Sequence, residues 1–342
     1  MTSGLKRKLG VGFALAFLVF VALLFYGDVQ EIAHLLQNFE WRLLPVILAL
    51  TTFNYFLRGV RFRYYLGQVG VSNITLWTSL RVFIGGFSLS LTPGKLGEFI
   101  RLLWLKNIAN ADPARTAPTI IVDRVIDGLA MAILASIGAL AYPQLWPLVA
   151  VVFGILMTGV VIIQIRPLAL WILQLGEKLP FVSRMMHHLR ALYESTYELL
   201  RLKSFLVGLG IGLIVWAAQG VAFYFVLLGL GAAPSLNLML LAIFTLSIGA
   251  ILGGLSSLPG GLGATEASMT AILQAVGLTQ GIAATATLVI RFFTLWFGVI
   301  LGMLTVVVWR KMLFGKSYHF SDLDAQITSQ LADSELTYEQ SG

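Results

Sequence analysis

The stretch LTPGKLGE, residues 91–98, sets Pro93, Gly94, Lys95, Gly97 and Glu98 into a region otherwise apolar enough for a membrane helix. Proline lacks a backbone donor and clashes with the preceding turn, while glycine gives up helical stability. Charge at membrane depth is expensive and is kept where it does something. The stretch therefore reads as a deliberate break between two half-helices, provided the rest of the chain lives in a bilayer.

Composition says that it does. Of 342 residues, 58% are apolar and 11% charged, with a mean hydropathy of +0.87, whereas a soluble domain carries about 25% charge. The chain reads as an all-α, polytopic integral membrane protein. Cysteine is absent, which excludes disulfides, thiol catalysis and thiolate metal sites. The net charge of +7 sits in short segments beside apolar runs, the positive-inside pattern, and does not call for a nucleic acid.

Lys6, Arg7 and Lys8 precede an apolar run from Leu9 to Tyr26. The run exceeds a signal-peptide core of about 7–15 residues and lacks a small-x-small cleavage site, so it is expected to stay as the first span. Further spans are expected at 43–60, 117–141, 146–165, 204–230 and 281–309. Two more apolar regions, 75–108 and 238–276, are each broken by a Pro-Gly cluster. Residues Arg166 to Lys203 keep Leu170, Leu173, Leu189, Leu192 and Leu199 at helical spacing among charges, an amphipathic segment for the membrane surface. Residues 317–342 carry acids but no Lys or Arg and are expected to be disordered. The transmembrane domain thus covers 1–316, with one repeat at about 43–141 and another at about 204–309.

Five basic segments, Lys6–Lys8, Arg58–Arg63, Lys106–Arg115, 166–203 and Arg310–Lys316, are expected on the cytoplasmic side, which puts both termini there in the cell (inner) membrane. This works only if each broken region returns to the side it left, as a re-entrant hairpin or as two full spans. The arm before the first break is about 14 residues, too short to cross; the second region's is nearer 19.

The two broken regions match. Pro93-Gly94-Lys95-Leu96-Gly97 followed by Glu98 parallels Pro259-Gly260-Gly261-Leu262-Gly263 followed by Glu266. Arg124 lies 31 residues after the first Pro and Arg291 lies 32 after the second. Together they form an internal repeat, and the span count turns one copy upside down relative to the other. Inverted repeats with broken helices are a transporter architecture, with the site at the repeat interface.

Each break frees amides at the start of the next half-helix, near Leu96 or Leu262, where an anion such as a phosphate headgroup is favoured. The bland alternative is a turn, with Glu98 and Glu266 capping their helices. Arg291, about ten residues into its apolar run, is expected to bind substrate or pair with a hairpin acid; Asp123, Arg124 and Asp127 could mark an interface, Arg124 pairing with Asp127 at i, i+3. Arg81 and Arg101 flank the first hairpin as partners for Glu98. Arg58, Arg61 and Arg63 read as a cytoplasmic cluster, an anchor or a headgroup contact. The glycines at 208, 210, 212, 249 and 253 suit close helix packing. His187 and His188 have no further ligand at metal spacing, and no metal or cofactor is expected. No GxSxG or HExxH occurs, and LTPGKLGE lacks the Ser or Thr of a phosphate loop.

The order PGKLGE with Arg101, then DRVID, then PGGLGATE resembles the membrane region of the lysylphosphatidylglycerol synthetase family, of the multiple-peptide-resistance-factor type, over residues 10 to 310. The resemblance implies a stand-alone, flippase-like member that handles a membrane lipid. It does not bring aminoacylation with it, because no synthetase domain follows the membrane region in this sequence. Glu266 falls later after its Pro than Glu98 does, which leaves their equivalence open. The expected function is a lipid flippase; the alternatives are an intramembrane enzyme using Glu98, Asp123, Asp127 or Glu266 as base, or an accessory subunit of lipid or lipid-linked glycan synthesis. A homo-oligomer or a lipid-synthesis enzyme is an open partner.

Overall fold

A computed structural model of the chain describes residues 3–92, 96–142, 146–177, 192–193 and 196–315. Among them there is no strand. Helix α1 (Ser3–Tyr26) ends at Gly27-Asp28, where the chain turns by 93° into α2 (Val29–Gln37). Asp28 adopts φ 61° and its carboxylate accepts from Gln30 N at 2.8 Å, capping α2. Next come α3 (Leu44–Gln68), α4 (Leu76–Gly85) with a 3₁₀ extension at Gly86–Leu89, α5 (Leu96–Ala109), α6 (Pro113–Gly138), α7 (Trp146–Gln164) and α8 (Arg166–Glu177). The second half holds α9 (Leu202–Gly229), α10 (Leu236–Leu255), α11 (Ala264–Ala275), α12 (Gln280–Arg291), a π turn at Phe292–Trp296, α13 (Phe297–Val308) and α14 (Arg310–Phe314). Thr75, Asp112, Ser235 and Thr279 cap α4, α6, α10 and α12 through their side-chain oxygens.

Among the described residues four helical stretches are long and apolar enough to cross a bilayer: Trp41–Gln68, Leu202–Gly229, Leu236–Leu255 and Gln280–Val308; the bent pair of α1 and α2, taken as one broken span, makes a fifth. Helix α6 has the length, 26 residues, but carries Asp123, Arg124 and Asp127. Among the two broken regions, α4 with its extension stops after Leu89, whereas α10 is long enough to span, so the first arms differ as their lengths in sequence indicate. Helix α8 opens the amphipathic segment; the rest of it up to 191, His187 and His188 included, and the acidic residues 317–342 lie outside the described residues.

One sequence expectation is corrected by α3. It does not end near residue 60 in a basic loop but runs eight residues further, to Gln68. Arg58 and Arg61 are therefore helix residues of the interior rather than a surface anchor. Arg61 is 0% exposed.

Packing falls into matched pairs. Helix α3 lies along α9, bridged by Asn54 Nδ2 donating to Val215 O at 2.9 Å and by Gln219 to Thr51. The first arm of the first broken region, α4, packs on α13, and the first arm of the second, α10, packs on α6. Each second arm lies on its own following helix, α5 on α6 and α11 on α12. Glycine permits the close crossings. A Cβ at Gly138 of α6 would come within 2.7 Å of Leu240 O, and one at Gly302 of α13 within 2.9 Å of Ile84 O. Gly249 and Gly253 likewise face Met269 and Thr265, and Gly208 and Gly212 face α3, but Gly210 meets nothing within 4 Å and serves no packing.

Candidate functional site

The second break is a glycine turn held by an arginine. Gly260, Gly261 and Gly263 take φ 60°, 68° and 84°, values that glycine alone adopts without strain. Glu266, in the first turn of α11, accepts from Gly263 N through Oε2 at 2.7 Å and from Arg291 Nε through Oε1 at 2.5 Å. Arg291 also donates to Gly260 O at 2.8 Å. One guanidinium thus ties α12 to both sides of the turn. The capping reading of Glu266 holds in part, since it takes up one amide that an anion would otherwise find.

The first broken region carries the same acid–arginine pair. Arg124 of α6 donates to Glu98 of α5 through Nε at 3.2 Å and through Nη2. Glu98 and Glu266 are therefore equivalent arginine partners despite their unequal distances from the prolines. The pairs differ in exposure: the Arg124 side chain is 44% exposed and that of Arg291 14%. Pro93, Gly94 and Lys95 lie outside the described residues, and Gly97 is described only as backbone of the first turn of α5.

Behind Arg124 sits a buried four-charge cluster. Arg61 donates to Asp123 Oδ1 through Nε at 2.9 Å and Nη2 at 2.5 Å, and Nη2 reaches Asp127 Oδ1 at 2.6 Å. Arg58 donates to Asp127 Oδ2 at 2.6 Å and stands 3.6 Å from Asp123 Oδ2. The spacings i, i+4 on α6 and i, i+3 on α3 turn both pairs to one face. This corrects the expected local pair: Arg124 turns to Glu98, and Asp127 is held from α3.

Arg81 and Arg101 do not pair with Glu98. The Arg81 guanidinium lies 4.8 Å from the Trp309 ring centroid. Arg101, 5% exposed, lies 4.2 Å from the Phe83 centroid and 5.6 Å from that of Phe87, and its Nε has no hydrogen-bond partner.

Between the two breaks is a cavity of about 230 Å³. Arg58, Glu98, Arg101 and Arg124 reach it from the first half, and Gly260, Gly261, Thr265 and Arg291 from the second; Tyr55, Phe87 and Trp216 complete its wall. The breaks meet where Leu91 joins Leu262 and Leu295 in one apolar cluster. Of the residues singled out in the sequence, Arg58, Glu98, Arg101, Arg124, Gly253, Gly260, Gly261 and Arg291 line the cavity. Asp123, Asp127 and Glu266 hold the lining arginines or their neighbours from behind, and Pro259 and Gly263 shape the turn. Sequence reasoning missed Tyr55 and Trp216, and it set Arg58 in a cytoplasmic cluster, as an anchor or a headgroup contact, and not in this wall. A signal for Arg58 and Arg61 was present: two acids one turn apart in an apolar helix require cations, and α3 carries two at the matching spacing.

A family model described as Lysylphosphatidylglycerol synthase TM region matches residues 9–302. The chain is similar to the UPF0104 membrane protein PH1989 of Pyrococcus horikoshii, with 23% identity over 323 residues, covering 86% of this chain and 95% of the relative.

Proposed function

We propose, from the premise that this chain belongs to the lysylphosphatidylglycerol synthase transmembrane-region family, that it moves a polar-headed lipid between the leaflets of the cell membrane. One observation carries the reading. Arginines from both halves of the chain, Arg58, Arg101 and Arg124 on one side and Arg291 on the other, converge on one cavity between two helix breaks. A lipid headgroup cannot cross hydrocarbon alone, because its phosphate would be stripped of water without replacement. Guanidinium groups replace that water with directed, charge-assisted hydrogen bonds and suit phosphate geometry.

In this mechanism the headgroup, anionic or zwitterionic, sits between the breaks while its acyl chains remain in the bilayer. Glu98 and Glu266 keep Arg124 and Arg291 aimed, and each break moves with the helix its arginine comes from. Rocking of one half against the other then opens the cavity to one leaflet and the other in turn. Irregular backbone at this depth is tolerated because it borders a cavity. Basic segments at Lys6–Lys8 and Arg310–Lys316 favour cytoplasmic termini.

An intramembrane enzyme would need a carboxylate free to take a proton. Glu98, Asp123, Asp127 and Glu266 are each held by arginine, which favours a transporter. The test is reconstitution in liposomes with headgroup-labelled lipids and external quenching. The expected result is translocation faster than in empty liposomes, slowed by Arg124→Ala and Arg291→Ala. Translocation no faster than in empty liposomes for every lipid class removes the reading.

A further inference from the structure

Around the cavity the acids are used up and the cations are not. Glu98 is held by Arg124, Glu266 by Arg291, and Asp123 and Asp127 by Arg58 and Arg61. Arg101 remains. It is 5% exposed, it lines the cavity, and no carboxylate pairs with it among the described residues. A guanidinium so withdrawn from water is stable only if something anionic or electron-rich answers it. The Phe83 and Phe87 rings do so in part. Trp216, also in the wall, has an indole N–H without an acceptor.

An ammonium group entering this cavity meets the opposite situation. Among the described residues it finds no free carboxylate, and the Phe87 and Trp216 rings of the wall, with Phe83 behind them, already face guanidiniums. Arg58 stands 5.7 Å from the Phe83 centroid and 5.9 Å from that of Trp216, and Arg101 stands over Phe83 and Phe87. Among the described residues, the buried side-chain atoms of the wall left without a hydrogen-bond partner, Nε of Arg58 and of Arg101 and the Trp216 indole N–H, are all donors.

We infer that the cavity selects a lipid phosphodiester whose headgroup bears no cationic group, such as a phosphoglycerol, with Arg101 as the direct ligand of the phosphate. Ethanolamine, choline and aminoacylated headgroups are disfavoured. This deepens the flippase reading and rests on it for the site, but its test is binding, not transport.

The whole chain in detergent is equilibrated with equal amounts of phosphatidylglycerol, phosphatidylethanolamine and aminoacylated phosphatidylglycerol, and retained lipid is read by native mass spectrometry. Phosphatidylglycerol is expected to exceed each of the others about tenfold, because all three offer the phosphate and only the ammonium of the other two meets the like charge of the wall arginines. Arg101→Gln leaves no acid orphaned, so it is expected to unfold at the wild-type temperature while losing the preference, and Arg101→Lys to keep it. Equal or stronger retention of an ammonium-bearing lipid overturns the inference, as does an undiminished preference in Arg101→Gln. Excess inorganic phosphate separates the two sources of the anion: no displacement supports a lipid, and displacement of the lipid assigns the site to free phosphate and overturns the inference. Preferential binding without translocation in liposomes supports this inference and removes the flippase reading. Translocation of phosphatidylethanolamine as fast as phosphatidylglycerol removes this inference and leaves the flippase.

Discussion

Replacing Arg61 by Met tests the buried cluster. The guanidinium is 0% exposed and donates at 2.9 and 2.5 Å to Asp123 and at 2.6 Å to Asp127. Methionine keeps most of the stem and removes the charge. Asp127 retains Arg58 at 2.6 Å, but Asp123 is left with Arg58 at 3.6 Å as its nearest cation. Removing one partner of a buried ion pair in this way costs about 3–5 kcal/mol. At about 2 °C per kcal/mol for a large chain, the unfolding midpoint falls by about 6–10 °C. The double variant Arg61→Met with Asp123→Asn removes the orphan as well as its partner, leaving Arg58 with Asp127. It is expected to recover about half of the loss, about 1.5–2.5 kcal/mol. Thermal unfolding in detergent, followed by tryptophan fluorescence, measures all three proteins. A shift under about 2 °C in Arg61→Met, or a double variant no more stable than the single, refutes the assignment of Arg61 as the neutralising partner of Asp123.

The two Glu–Arg pairs should respond unequally. Glu266→Gln removes a 5%-exposed carboxylate that also accepts from Gly263 N, and is expected to cost about 2–3 kcal/mol in the same unfolding assay; Glu98→Gln, whose partner is 44% exposed, should cost under about 1 kcal/mol. Helix crossings give a further contrast. Gly138→Ala and Gly302→Ala put a Cβ within 2.9 Å of a carbonyl oxygen and should each cost about 1–3 kcal/mol, whereas Gly210→Ala, with nothing within 4 Å, should raise the midpoint slightly.

Much of this site could be read from the chain alone because its strongest signals are covalent in spacing. Pro-Gly clusters interrupt helices wherever they occur, and the recurrence of an acid and then an arginine some 25 residues on survives folding as the pairs Glu98–Arg124 and Glu266–Arg291. The all-α membrane architecture follows from composition in the same direct way. What could not be read was which helix faces which. Arg58 and Arg61 look like the cytoplasmic end of a span because hydropathy falls there, and only the neighbouring acids on α6 explain why α3 stays helical and buried through them. Tyr55 and Trp216 gave no signal for a similar reason: an aromatic residue in an apolar helix is ordinary until the fold brings Arg58 to the Trp216 ring and the π turn to the Tyr55 hydroxyl. Likewise, Arg101 could be placed beside the hairpin, but its lack of a carboxylate partner is a tertiary fact.

The central claim is that a headgroup passes between the two helix breaks as they move apart. The absence of native cysteine makes one measurement direct. Leu91→Cys and Leu262→Cys place thiols on the two breaks, in the apolar cluster where they meet, and a short, reducible bis-thiosulfonate joins them in protein reconstituted with labelled phosphatidylglycerol. The account predicts that linkage lowers translocation to the rate of empty liposomes and that reduction restores it. Translocation at an undiminished rate with the breaks joined would contradict it.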